Sequence, residues 1–400
     1  MKKIKIKLGL FTLFVILGVN SSMGQDSFSF NKGNAIIEDY LTEITFENIN
    51  GKIILPVTLD NEPYRFILDT GAPTAISERL SKKLNPSSIS KITITDINQQ
   101  ADSLAVVRLN NIAIGPIEFN DIPALVIEPN DIFTCLGVDG FIGSNLLRNS
   151  VIQLNGLTST LIISSSEKAL NINPKKASDL VLDAQSSPYI SLLLKNKKKG
   201  IKHQVLLDLG VNSLYDLALP NYEVFQRYDI FEPKASSKAI NTMGLFGMAK
   251  EELHHRLLLP ELDLNGFKFN NILVETTQGN NSSIGSKILD LGLITIDYKN
   301  KKFYFDPFKS AKLSSEHLYK FPISYFPENK GLYIGSVWST ELSEKISIGD
   351  QILAVDGVSF ASIDLCDFIN SNPIFQDKER LIITTVNKQG EKVETTLERN

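Results

Sequence analysis

The feature that most constrains the fold is an order of elements that occurs twice. The run Tyr64-Arg65-Phe66-Ile67-Leu68 ends on Asp69-Thr70-Gly71-Ala72, and the run Val205-Leu206-Leu207 ends on Asp208-Leu209-Gly210. In both places an acid directly follows an apolar strand-like run, where partial burial makes ionisation costly. A glycine two positions later lets the backbone turn sharply and lets another group come close. Each acid is preceded by a hairpin pattern: Ile53 to Leu59 before the turn Asp60-Asn61-Glu62, and Tyr189 to Leu194 before the basic turn Lys195 to Gly200. Each is followed by a short helix signal. Ser77 caps Glu78 to Leu84, which Asn85-Pro86 stops, and Pro220 opens a helix through Phe225.

The parallel continues downstream. Leu109 to Ile122 is echoed by Leu257 to Leu259 and Leu262 to Ile272, and Phe141-Ile142-Gly143-Ser144-Asn145-Leu146-Leu147 by Ser283-Ile284-Gly285-Ser286-Lys287-Ile288-Leu289. Val151 to Ile163 is echoed by Ile294 to Phe305. The offset is 139 residues between the acids (69 and 208), 150 between 122 and 272, and 142 between the glycines (143 and 285). Equal order with drifting spacing reads as two diverged copies with loop insertions. The expected class is mainly β. A hairpin over Ile92 to Thr95 and Ala105 to Val107, with the polar tip Asp96 to Asp102, is predicted to project from the first copy.

Asp69-Thr70-Gly71-Ala72 resembles the Asp-Thr-Gly loop of aspartic proteases, in the form typical of their retropepsin-like branch. The resemblance covers about residues 35 to 310. It implies two homologous β-barrel-like lobes, 35–165 and 185–310, facing each other across a substrate cleft, with a connector over 164–187. It implies Asp69 and Asp208 as the catalytic pair, with Thr70, Gly71 and Gly210 supporting the loops. Gly143 and Gly285 would close the apolar-apolar-Gly segments that pack behind them. The implied substrate is a peptide or protein, and no cofactor or metal is called for.

The chemistry asks for two acids. Peptide hydrolysis without a metal or a nucleophilic side chain needs a base to activate water and an acid to protonate the carbonyl oxygen and the leaving nitrogen. Two carboxyls held close share one proton, so the pair supplies both functions, and the proton belongs to the pair rather than to either residue. One residue departs from the family pattern. Leu209 stands where a Thr or Ser hydroxyl braces the two loops, and Ser213 lies too far along to replace it. Three readings stay open: the pair works with one-sided bracing; the second lobe is degenerate and the chain is a non-catalytic peptide-binding scaffold; or the first lobe pairs with that of another copy, as in homodimeric retropepsins.

Other chemistries find little support. His203, His254, His255 and His317 have no zinc-ligand spacing. There is no Gly-x-Ser-x-Gly elbow and no phosphate-cradling glycine loop. A two-carboxylate glycosidase would want aromatic sugar platforms, and the single Trp338 lies outside both lobes. Cys135 and Cys366 fall in different predicted domains and are expected as two isolated small apolar side chains rather than a disulfide.

The ends of the chain add context. Lys2, Lys3, Lys5 and Lys7, the apolar run Leu8 to Val19, and Ser22-Met23-Gly24 read as a signal peptide over 1–24, so the protein is expected to be exported, to the periplasm or beyond. Its 12-residue apolar run is short of the roughly 20 residues a helix needs to span a bilayer. Without those four lysines, 37 basic residues stand against 45 acidic ones, a formal −8 that argues against nucleic acid or an anionic membrane as partner. At the other end, Gly349-Asp350-Gln351-Ile352-Leu353-Ala354-Val355-Asp356-Gly357 resembles the core motif of PDZ domains, implying such a domain over 325–400. Gly331, Leu332 and Tyr333 would then form a carboxylate-binding loop beside an open strand edge at Tyr333 to Val337. Leu365 to Ile369 would flank the groove, which would take a C-terminal peptide. A packing module with an empty groove is the other reading of the same residues.

Overall fold

A computed structural model of the chain describes residues 28–128, 131–240, 243–309, 320–328, 330–370 and 378–399; the expected signal peptide lies outside the described residues. The protein is mainly β. Its first half is built on an 11-stranded sheet among the described residues. Strand Lys52–Leu59 returns as Glu62–Asp69 through Asp60 and Asn61, both with positive φ (48° and 66°), the turn geometry that matches strand twist. Strand Gly140–Gly143 runs parallel beside the second of these, pairing Ile142 with Leu68 and Gly143 with Asp69. Helix Glu78–Leu84 begins where expected. Its Ser77 hydroxyl accepts from the Leu80 N–H, and Asn85 ends it in the left-handed region. The predicted projecting hairpin is present as Ser88–Thr95 and Ala101–Leu109.

The second half repeats this plan. Strands Pro188–Asn196 and Lys199–Leu207 form the hairpin, and the short strand Ser283–Ile284 runs parallel to the latter, pairing Leu207 with Ile284. Helix Leu219–Phe225 has Pro220 in its first turn. The two halves meet in a six-stranded sheet, where Val151–Asn155 lies antiparallel to Gly292–Asp297 with Ile152 opposite Ile296. The elements matched in sequence therefore lie side by side. One apolar core runs through both halves and includes Phe66, Leu68, Ile142, Leu207, Leu209 and Ile284.

Residues after Phe321 build a smaller core from Leu332, Ile334, Ile352, Leu381, Ile383 and Leu397. Two expectations fail here. First, the edge of strand Gly331–Val337 is not open. Ile323–Glu328 pairs along one side, while Leu332 and Tyr333 pair with Ile352 and Gln351 on the other. Further along the strand, Ser336 meets Ala239 of the second half, and the Ile240 N–H donates to the Gly335 carbonyl at 2.8 Å. Leu332 is wholly buried in the small core. The motif pattern fixes the strand but not its neighbours, and a strand with partners on both sides cannot accept an added peptide there. Gly331, Leu332 and Tyr333 are thus interior sheet residues rather than a ligand loop.

Second, Cys135 and Cys366 are joined in a disulfide across 231 residues, with their Cα atoms 4.5 Å apart. Placing them in separate predicted domains hid this, because the C-terminal unit folds back onto the first half. It brings helix Leu365–Asn370 against helix Asp131–Leu136. The Asn370 side-chain amide donates to the Cys135 carbonyl at 3.0 Å, and that of Asn50 donates to the Ile369 carbonyl at 2.6 Å. On its other flank the C-terminal unit is tied to the second half by charge. Glu275 pairs with Arg256 at 2.8 Å and Lys320 at 3.4 Å, and Arg256 also donates to the Phe321 carbonyl and lies over the Trp338 ring.

Candidate active site

Asp69 ends strand Glu62–Asp69, and Asp208 follows strand Lys199–Leu207 directly, so both acids leave the sheets at equivalent points. Each loop folds the same way. The Gly71 N–H donates to Asp69 Oδ1 at 3.0 Å, and the Gly210 N–H donates to Asp208 Oδ1 at 2.9 Å. The loops then cover one another. An ideal Cβ on Gly71 would lie 2.6 Å from the Asp208 carboxyl carbon, and one on Gly210 would lie 2.6 Å from that of Asp69. Only glycine fits at either position, and the relation is reciprocal, as a local twofold axis requires. The two carboxyls are close enough to act on one another's protonation.

Thr70 braces the pair from one side. Its buried hydroxyl donates to the Leu207 carbonyl at 2.5 Å and accepts from the Leu209 N–H at 2.9 Å. Leu209 has no hydroxyl to return, and its side chain is fully buried in the core. Ser213 does not stand in for it, since its hydroxyl donates instead to Asp216 at 2.6 Å. Gly143 and Gly285 take the places expected behind the loops. A Cβ on Gly143 would meet the backbone of Pro73 and Thr74 at 2.3 Å, and one on Gly285 would meet the carbonyls of Val211 and Ser213 at 2.5 Å. The serines that follow repeat the symmetry in their backbone: the Ser144 N–H donates to the Ala72 carbonyl at 3.2 Å and the Ser286 N–H to the Val211 carbonyl at 2.8 Å, each carbonyl three residues past its acid.

The electrostatics follow from this enclosure. Burial raises Asp69 above the usual carboxylate range, with the charge of Lys52 and the Gly71 N–H pulling the other way. Burial, then the charge of Asp69, push Asp208 up to about 8, again against Lys52. Asp216 adds to the rise. Two close acids in a poorly solvated site hold a proton between them into the neutral range.

Sequence reasoning missed Lys52 and Asp216. Lys52 opens its strand directly after the turn Asn50-Gly51, a place where a lysine is ordinarily a solvated surface group, and its ammonium donates instead to the Gly210 carbonyl. Only the fold brings it to the pair. The tip of the 88–109 hairpin meets the short ribbon of Met243–Gly244 and Gly247–Met248. The Phe246 N–H donates to Asp96 at 3.0 Å, and the side-chain amides of Asn98 and Gln100 donate to the carbonyls of Gly247 and Met248, both at 2.9 Å. Among the described residues no group of three or more His, Cys, Asp and Glu side chains is placed to hold a metal ion.

Residues 55–146, which include Asp69 and Gly143, match the model of a family described as aspartyl protease. No curated protein matches the chain. Among solved structures, a retropepsin-like aspartic protease from Rickettsia conorii is 20% identical over 33% of this chain and 95% of its own, with a TM-score of 0.25. Basic 7S globulin from soybean is 10% identical over 67% of this chain and 94% of its own, with a TM-score of 0.38. An aspartic proteinase from Irpex lacteus is 11% identical over 68% of this chain and 98% of its own, with a TM-score of 0.42.

Proposed function

We propose that the chain is an aspartic endopeptidase that hydrolyses peptide bonds with a water activated between Asp69 and Asp208. The observation that carries this reading is the reciprocal cover of each carboxyl by the glycine of the opposite loop, which sets the two acids face to face. In the singly protonated pair, the ionised carboxyl takes a proton from the water as its oxygen attacks the peptide carbonyl carbon. The protonated carboxyl gives its proton to the carbonyl oxygen. Collapse of the resulting tetrahedral diol breaks the C–N bond, and a proton passes to the leaving nitrogen. Neither acid is assigned one role, because the bell-shaped pH dependence expected here reports the pair.

The halves 35–165 and 185–310 would be the two lobes of the enzyme, with the peptide lying between them beneath the hairpin tip Asp96 to Gln100. Pairing of the two loops within one chain supports an intramolecular cleft over one built by two copies. The brace from Thr70 supports one-sided bracing over a degenerate second lobe, since Leu209 keeps its backbone bond to Thr70 and fills the core with its side chain. The C-terminal unit, read as PDZ-like from its Gly349 to Gly357 motif, would act as a clamp between the halves. Export is supported by the signal pattern and by the disulfide, which suits an oxidising compartment. Among the described residues no helix is long and apolar enough to cross a membrane.

The test is cleavage of a denatured protein across acidic to neutral pH. New peptide termini should appear, and a peptide carrying a statine-like hydroxyl at the scissile position should block them. Tight binding of that peptide with no cleavage at any pH would favour the non-catalytic peptide-binding reading, which Leu209 keeps in view.

A further inference from the structure

We infer that Lys52 is a positioning residue of this site, a resident cation that balances the charge of the Asp69–Asp208 pair and anchors the Gly210 carbonyl beside it. The inference rests on the peptidase reading for its catalytic meaning, but the placement stands on its own geometry. Strands Glu47–Ile49 and Lys52–Leu59 are joined through Asn50 and Gly51, whose φ values of 49° and 78° make a tight left-handed turn. That turn is pressed against the second acid loop: an ideal Cβ on Gly51 would lie 2.2 Å from the Asn212 side-chain oxygen. Lys52, the next residue, therefore starts its strand beneath the loop, and its ammonium donates to the Gly210 carbonyl. Gly210 in turn covers the Asp69 carboxyl.

A lysine here gives up hydration and has a reason to stay charged. Burial pushes its ammonium down from the ordinary range, while the charges of Asp69 and then Asp208 push it back up. The pair with one shared proton carries a single negative charge, and Lys52 makes the enclosed cluster neutral. That removes much of the cost of keeping an ionised carboxylate in a poorly solvated site. The other groups bearing on the pair are acidic or weakly so. Asp216 raises Asp208 and is itself held by the Ser213 hydroxyl, with Lys320 and Glu275 beyond it. Tyr189 is raised by burial and by the charges of Asp183 and Asp208. Lys52 is thus the cation that acts on both members, and it pulls with their own loop N–H groups against burial and, at Asp208, against the neighbouring acids.

The consequence has a definite sign. A nearby cation favours the ionised form of a carboxyl, so removing it raises both apparent pKa values of the pair. An opposite charge at such range is worth about 1–3 pH units. Lys52→Met should therefore move the acid limb and the alkaline limb of the pH–kcat/KM profile upward by about 1 unit or more. Lys52→Arg, which keeps the charge, should hold both limbs close to wild type. A lysine that only props the loop would lower kcat or the melting temperature without moving the limbs. The same question is asked without turnover by carboxyl NMR on protein labelled at aspartate 13Cγ, with Asp69→Asn and Asp208→Asn assigning the signals. The pair should titrate higher in Lys52→Met than in wild type, and Lys52→Gln serves if the methionine variant does not fold. If wild type cleaves nothing yet the carboxyl titration still moves, the peptidase reading fails and this inference stands. If folded Lys52→Met or Lys52→Gln titrates as wild type does, the inference is overturned, whatever the activity.

Discussion

Thr70 and Leu209 are joined by a single bridge: the Leu209 N–H donates to the Thr70 hydroxyl at 2.9 Å, and no side-chain bond comes back. The same hydroxyl donates to the Leu207 carbonyl, so one side chain holds the backbone on both sides of Asp208. Thr70→Val leaves a buried N–H and a buried carbonyl without that partner, at a cost of about 1–3 kcal/mol. It should lower the denaturation midpoint and kcat together. Leu209→Thr offers a second brace but removes buried apolar volume from a fully packed position, so it should cost about 1–2 kcal/mol without raising kcat/KM. A Leu209→Thr enzyme that is both more stable and faster would show that one-sided bracing is a handicap.

The acid pair should cost stability at neutral pH. Asp208 is raised in the folded chain to about 8, so the unfolded state gives up its proton first as pH rises. The penalty starts above the ordinary carboxylate range, near pH 4, and grows until about pH 8. Asp208→Asn, which needs no proton, should therefore melt higher than wild type, by a margin that widens across that interval. Melting curves at a series of pH values read this directly. A margin that is constant or shrinks would place the raised proton affinity elsewhere.

Glu275 has the opposite sign. Burial alone would raise it, but Lys320 and Arg256 hold its carboxyl down to about 2. The stability it contributes is fully present above its unfolded range, near pH 4.5, and is lost as pH falls toward 2. Glu275→Gln leaves the buried Arg256 without its ion pair and should cost about 3 kcal/mol at neutral pH, much less near pH 2. Denaturant midpoints at the two pH values give the comparison. An equal loss at both would rule out the ion pair as the cause.

The bridge between Cys135 and Cys366 closes a loop of more than half the chain. Cys366→Ser, or a dithiol reductant, should lower stability by about 2–4 kcal/mol. The effect should be read against a Cys135→Ser, Cys366→Ser double variant, which should no longer respond to reductant. Unchanged stability of Cys366→Ser would mean that the C-terminal clamp is held by its other contacts, such as the Ile240 to Gly335 bond.

What could be read from the sequence was periodic or local. The apolar runs into Asp69 and Asp208 point to the strands, Ser77 and Asn85 to the helix ends, and the paired glycines to the loops behind which Gly143 and Gly285 pack. What escaped depends on which surfaces meet. Lys52 looks like any strand-opening lysine until the Gly51 turn meets Asn212. Cys135 and Cys366 are near neighbours only because two short helices from distant segments dock. Tyr333 to Val337 reads as a strand, but the strand starts already at Gly331, and nothing in its own residues says that both of its edges are taken.

The measurement that bears most directly on the shared acid pair is cleavage of one denatured substrate by wild type, Asp69→Asn and Asp208→Asn at equal folded concentration. Each substitution removes one half of a proton-sharing pair, and the two halves lie under each other's glycines. The account predicts that both variants lose activity to a similar degree, by about 10²–10⁴-fold, while remaining folded. Near wild-type cleavage by Asp208→Asn, with Asp69→Asn inactive, would contradict it.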